Sequence, residues 1–266
     1  LPLHHRLMEV LRALSPEDWQ RSTACGRWTV KDIAAHMLDT QIRILSSGRD
    51  GAPLPPPPAP IEGYADLVAF LDALNAQWVQ VARRFSPRLL VDLLALVGPQ
   101  LAEHYAVQDP EGEAQFPVAW AGEEASRAWF DIGRSYTEYW LHQQQIREAV
   151  GASGLLGRAW LHPVLSLFIR ALPRAYMPVA AHDGCAIGVA ITGPAGGDWC
   201  LIRTGDRWCL EEGSRLPFAT RIELSDDTAW RLFSKGLRPD EARSRVVFQG
   251  DPALGEPFLH ALAIMG

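Results

Sequence analysis

Through the first two-thirds of the chain, apolar positions recur at the three-and-four spacing of a helix face. Leu7, Val10, Leu11 and Leu14 form one stripe, which Ser15-Pro16 closes. Thr29-Val30-Lys31-Asp32 reads as a capping-box start, with Asp32 in the place where Glu is more usual. The helix it opens carries Val30, Ile33, Met37, Thr40 and Ile44 and is expected to stop near Gly48. Residues 49–60 contain four consecutive prolines, which cannot hold a helix, so they read as a stiff extended connector. A third helix is expected over 64–85. A fourth starts at Ser86-Pro87 and reaches 105, with a kink or break at Gly98-Pro99. A long helix over 123–150 ends at Gly151, and another apolar helix covers 163–172.

Beyond Pro178 the period shortens to two. Residues 186–192, 199–203, 207–211 and 220–224 read as antiparallel strands between Gly-rich turns. Ser225-Asp226-Asp227 caps a helix through Phe233, and Pro239-Asp240-Glu241 starts a shorter one. Residues 246–249 read as a strand, and Asp251-Pro252 opens the last helix. The expected fold class is mixed α+β: an up-and-down helical bundle over 1–175, then a small α+β domain over 176–266.

Composition narrows the function. The chain has 266 residues, 48% of them hydrophobic and 21% charged, as expected of a globular protein of two domains. A net charge of −6 disfavours binding to a phosphate backbone, so no nucleic-acid partner is expected. No apolar run approaches the ~20 residues that span a bilayer, so no membrane partner is expected either. The greasiest stretch, 164–169, stops at Arg170. Four cysteines without a Cys-x-x-Cys pair argue against a disulfide framework and for a reducing cytoplasm. No signal peptide is visible, although the chain begins at Leu1 rather than Met. Nucleophile-elbow, phosphate-loop and dinucleotide fingerprints are absent. The tryptophans, scattered through both parts, read as packing.

One constellation carries chemistry. Glu138 and His142 are four apart on the long helix, so a carboxylate oxygen and an imidazole nitrogen can converge on one point. Ala128, Ile132, Ser135, Tyr139, His142, Ile146 and Ala149 alternate spacings of four and three, which puts His142 in a packing seam with Glu138 beside it. His36 lies beside the seam of the second helix, made by Ile33, Met37 and Thr40. Two facing helices with these residues offer two nitrogens and one oxygen to a divalent ion and leave a coordination position open. The spacing alone leaves two plainer assignments standing. Each histidine can be a hydrogen-bonded core residue, and Glu138 can pair with Arg134.

The segment Cys25-Gly26-Arg27-Trp28-Thr29-Val30-Lys31-Asp32-Ile33-Ala34-Ala35-His36 resembles the C-P-G-W-T-V-x-D-L-x-x-H signature of the mycothiol-dependent maleylpyruvate isomerase family, a group within the DinB-like bundle metalloproteins. Glu138 to Ile146 is similar to that family's second signature, E-x-x-x-H followed by a polar and an apolar residue. Three C-terminal segments, 229–233, 239–243 and 250–255, resemble the sterol-carrier-like domain often fused to such bundles. The departures are Gly26-Arg27 in place of Pro-Gly before the tryptophan, and 106–120, which matches nothing in the family.

The resemblance implies that His36, Glu138 and His142 bind a divalent metal: zinc first, with nickel, iron or manganese also compatible with the donors. It further implies mycothiol or another low-molecular-weight thiol as cofactor, and a small-molecule substrate. The activity would be isomerisation of a cis double bond or transfer of the thiol. A metal hydrolase using bound water and a non-enzymatic lipid or small-ligand carrier are the alternatives. For an anionic substrate, Arg238, Arg243 and Arg245 are the candidate cations, against the plainer assignment of solvated arginines. His104 is either an extra ligand or proton shuttle, or a satisfied bundle histidine.

Overall fold

The computed structural model describes residues 1–213 and 217–264. The chain divides into two compact units. One holds Leu1–Gln115 and Arg127–Gly154; the other holds Phe116–Ser126 and the chain from Leu155 onward. Among the described residues, no helix is long and apolar enough to cross a membrane.

The first unit is helical: α1 (Pro2–Ala13), α2 (Val30–Ile44), α3 (Tyr64–Ala82), α4 (Pro87–Ala106) and α5 (Ala128–Val150). α2 is its central element. It packs against α3, α4 and α5, and ten of its 15 residues are buried, more than the single stripe of a surface helix. Ala34 and Ala35 let neighbours approach closely, while Ile33, Met37 and Leu38 fill the core with Leu7, Leu11, Leu90, Leu94 and Ile146.

The predicted capping box starts α2. Thr29 Oγ1 accepts from the Asp32 N–H at 3.3 Å, and Asp32 Oδ2 accepts from the Thr29 N–H at 3.1 Å. Arg83, just past α3, then clamps the same carboxylate from Nε at 3.0 Å and Nη2 at 3.1 Å. Burial opposes ionisation of Asp32, but the hydrogen bonds from Arg83 and Thr29 outweigh it and hold its pKa below the usual carboxylate range. Trp78 of α3 donates to the Ala35 carbonyl at 2.8 Å, a second tie between α3 and α2.

At its C-terminal end α2 passes into a wide π turn, Leu45–Arg49, and the proline-rich segment follows without regular structure. Of the kink or break expected at Gly98-Pro99, the break does not occur: α4 continues through both residues. The glycine is needed there, because a Cβ at residue 98 would overlap the His4 ring of α1. α5 begins at Ala128, later than expected, and closes on Gly151 in the left-handed region at φ 70°.

The second unit contains α6 (Arg158–Phe168), the single-turn α7 (Leu172–Ala175) and a five-stranded sheet, with 116–126 grouped beside them. The strands are β1 (Ala186–Thr192), β2 (Gly197–Thr204), β3 (Arg207–Glu212), β4 (Thr220–Ser225) and β5 (Val247–Gly250), in the order β3-β2-β1-β4-β5. Three pairings are antiparallel, but β1 and β4 are parallel, which corrects the all-antiparallel expectation. The chain leaves β3 at one edge and re-enters on the far side of β1, a crossover that strand alternation cannot reveal.

Short helices α8 (Asp226–Phe233), α9 (Pro239–Arg243) and α10 (Pro252–Gly255) complete the unit. Ser225 caps α8 as expected, its Oγ accepting from the Thr228 N–H at 3.1 Å. Alternate residues Ile187, Val189 and Ile191 share a sheet face with Leu201, Ile222 and Leu224. Phe168, Phe233 and Phe258 pack in sequence, the first pair tilted and the second edge to face, with centroid spacings of 6.2 Å and 5.7 Å. The unit is therefore α+β in its own right, and with the helical unit it gives the mixed class that the pattern predicts.

Candidate metal centre

The site begins in the turn before α2. The Trp28 N–H donates to the Cys25 carbonyl at 3.0 Å, and Gly26 takes φ 56°, a conformation closed to proline. Replacing Pro-Gly by Gly26-Arg27 therefore changes the turn type, since glycine now supplies the positive φ at the first central position instead of the second. Thr23 fastens the loop from inside. Its Oγ1 donates to the Trp28 carbonyl at 2.7 Å and accepts from the Cys25 N–H at 3.2 Å. This places the Trp28 ring against His36, with centroids 4.9 Å apart.

Two pairwise contacts link the three predicted residues, both through His142. His36 of α2 and His142 of α5 meet edge to face, with ring centroids 4.8 Å apart. Glu138 Oε2 lies 3.5 Å from His142 Nε2. The His142 side chain is 11% exposed and that of Glu138 27%, so the histidine is inside and the carboxylate stands at the rim. Arg134 does not take Glu138; it pairs with Asp131 instead. Burial, then the charges of His142 and Arg43, hold His36 well below its ordinary pKa, so its ring is neutral near pH 7.

Two features of these contacts bear on whether a cation could be held here. His36 Nδ1 is buried without a hydrogen-bond partner. His142 Nδ1 lies 2.9 Å from Gln145 Oε1, an acceptor, so the neutral ring carries its proton there and presents an Nε2 lone pair. That nitrogen lies 3.5 Å from a carboxylate oxygen, a pair of acceptors that a shared proton or a metal ion would bridge. Among the described residues, no three His, Cys, Asp or Glu side chains close on a single point as they stand. The two imidazoles meet edge to face and do not aim at a shared centre.

Other residues of the neighbourhood were given no role by the sequence pattern. Gln145, which orients His142, belongs to a run of three glutamines that reads as surface. Burial, then the charges of Glu138 and Asp72, push the Cys25 thiol up to about 11, so it stays protonated at neutral pH. Arg43 pairs with Asp39 at 3.0 Å and donates to Asn75 Oδ1 at 2.9 Å.

The remaining candidates lie elsewhere. His104 Nε2 is 2.8 Å from Gln108, a satisfied bundle histidine. Arg238 and Arg243 pair with Glu241 and Glu256, and Arg245 is exposed on the sheet unit.

Comparisons with known proteins place the chain in a family and a fold. No curated protein matches the chain. Two crystal structures share its fold: the mycothiol-dependent maleylpyruvate isomerase and a histidine-to-alanine mutant of it. The first matches with a TM-score of 0.52 and the mutant with 0.53; each is 11% identical and is matched over 84% of its length by 87% of this chain. The family model for the mycothiol maleylpyruvate isomerase N-terminal domain matches residues 1–147, which include α1 to α4 and the facing His36, Glu138 and His142. The chain therefore belongs to the mycothiol maleylpyruvate isomerase N-terminal domain family.

Proposed function

We propose that the protein is a metal- and thiol-dependent cis–trans isomerase of a maleylpyruvate-like acid, with His36, Glu138 and His142 as the metal ligands. The observation that carries this is the meeting of two neutral-competent imidazoles and a carboxylate at the junction of α2 and α5, in a chain of this family. Zinc suits two nitrogens and one oxygen best, with nickel, iron and manganese admissible. When bound, such an ion supplies the positive charge that keeps a small-molecule thiol ionised near neutral pH.

The protein's own groups do the rest. Gln145 fixes the His142 tautomer so that Nε2, not Nδ1, faces Glu138. Trp28 covers His36 and limits water at its ring. Cys25, held protonated, does not compete as nucleophile, which supports a thiol supplied from outside. The capping box and the Arg83 clamp anchor α2, which keeps His36 from drifting as substrate enters.

The test is turnover of maleylpyruvate with and without mycothiol, together with the absorption spectrum of cobalt-loaded protein. The expected result is isomerisation that needs the thiol, and a cobalt spectrum that changes when thiol is added. Ester hydrolysis without thiol, with an unchanged spectrum, would assign the site to hydrolysis. Lipid binding by the sheet unit, with no metal-dependent turnover, would make the protein a carrier.

A further inference from the structure

Two charged residues of α2, Asp39 and Arg43, share a helix face with His36 and are not among the proposed metal ligands. His36, Asp39 and Arg43 stand at i, i+3 and i+7, on one face of the helix. Helical side chains slant toward the N-terminus, so the long Arg43 side chain runs back along α2. Its Nε comes within 3.0 Å of Asp39 Oδ2. Asp39 lies only three residues beyond His36, ~4.5 Å along the axis. Nη2 donates to Asn75 Oδ1 of α3 at 2.9 Å. Nε is buried and makes no aligned hydrogen bond despite its closeness to Asp39. The Arg43 side chain is 28% exposed, so a small molecule can reach it.

The charge around the site isolates this group. Glu138, Asp39 and Asp72 are carboxylates, and Glu138 and Asp72 both act on Cys25. Arg43 is the arginine whose charge bears on His36. Arg238 and Arg243 are already neutralised by glutamates of the sheet unit.

We propose that Arg43 is the carboxylate-recognising residue of the site, taking one carboxylate of a dicarboxylate substrate whose reacting end lies at His36 and His142. This rests on the function proposed above. Asp39 holds the guanidinium in place when the site is empty and competes with the substrate for it. A planar fork suits a carboxylate better than an ammonium does. Sequence pattern concealed the residue, because an Asp–Arg pair four apart usually marks a solvated helix face.

The test is calorimetric titration of maleate, a cis-dicarboxylate, and of its monomethyl ester into zinc-loaded and metal-free protein. Wild type is expected to prefer maleate. Arg43→Gln should weaken maleate at least tenfold and erase the preference, with Arg43→Lys in between. Asp39→Asn should tighten maleate binding a few-fold, because it removes the competing carboxylate. Should Arg43→Gln alone fail to fold, Asp39→Asn/Arg43→Gln removes both charges together and should also lose the preference. Unchanged maleate affinity in the arginine variants overturns the proposal. So does Asp39→Asn weakening binding as much as Arg43→Gln, which is the mark of a purely structural pair. Zinc content is measured on each sample. A wild type that holds no zinc defeats the metal assignment, while an Arg43-dependent preference in metal-free protein still supports this one.

Discussion

At the scale of single residues, the site depends on which nitrogen of His142 carries the proton. Gln145 Oε1 decides this from 2.9 Å. Gln145→Ala removes the acceptor and is expected to lower metal affinity by about 10–100-fold, read by competition with a chromogenic chelator. Gln145→Glu keeps an acceptor and should retain binding, so equal losses in both variants would remove Gln145 from the site.

A second residue, His4, sits away from the metal ligands with Nδ1 2.8 Å from the Tyr139 hydroxyl. Burial, and then the neighbouring His5, lower its pKa from 6.5 to about 4. The unfolded chain therefore takes up a proton near pH 6.5 that the folded ring refuses until about pH 4. Stability from this group is full above the upper value and falls across the window as pH drops, by something on the order of 1 kcal/mol after screening. Melting curves from pH 7 to 4.5 should show wild type losing more stability than His4→Gln; parallel losses would contradict the assignment.

The His36–His142 and His142–Glu138 contacts were legible because histidine and glutamate at helical spacing, together with the two signature segments, pointed to the junction of α2 and α5. Gln145 and Arg43 were not, because a glutamine run and an i,i+4 ion pair look the same on any solvated helix.

Single elements take their positions from local chemistry joined to one distant contact. The Thr29/Asp32 box sets where α2 starts, and Arg83 reaches the same carboxylate from beyond α3. Asp32→Ala breaks both and should cost about 2 kcal/mol. That is roughly 5 °C in Tm for a protein of this size, with the helix content retained. A change below 1 °C would show that the box is idle. In α4, Gly98→Ala forces a methyl group into the His4 ring and should cost about 1–3 kcal/mol while disturbing the contact with Tyr139. Capping residues and strand alternation are local, so the starts of α2, α4 and α8 and the span of β1 were readable in advance. The continuity of α4 and the parallel β1–β4 pairing were not, since each depends on residues far away along the chain.

For the molecule as a whole, residues 158–175 show the limit of pattern. They are as apolar and helical as any bundle helix, yet they group with the sheet. Which unit a helix joins depends on the partner surface, which its own period does not encode. The α+β class itself was legible, because the strand period is confined to the part of the chain beyond Pro178.

The central claim is that His36, Glu138 and His142 share one divalent ion. Elemental analysis of purified wild-type and His142→Ala protein tests it most directly. About one ion per chain in the wild type, lost in the variant, is the predicted result; stoichiometric metal in both, or none in either, would contradict it.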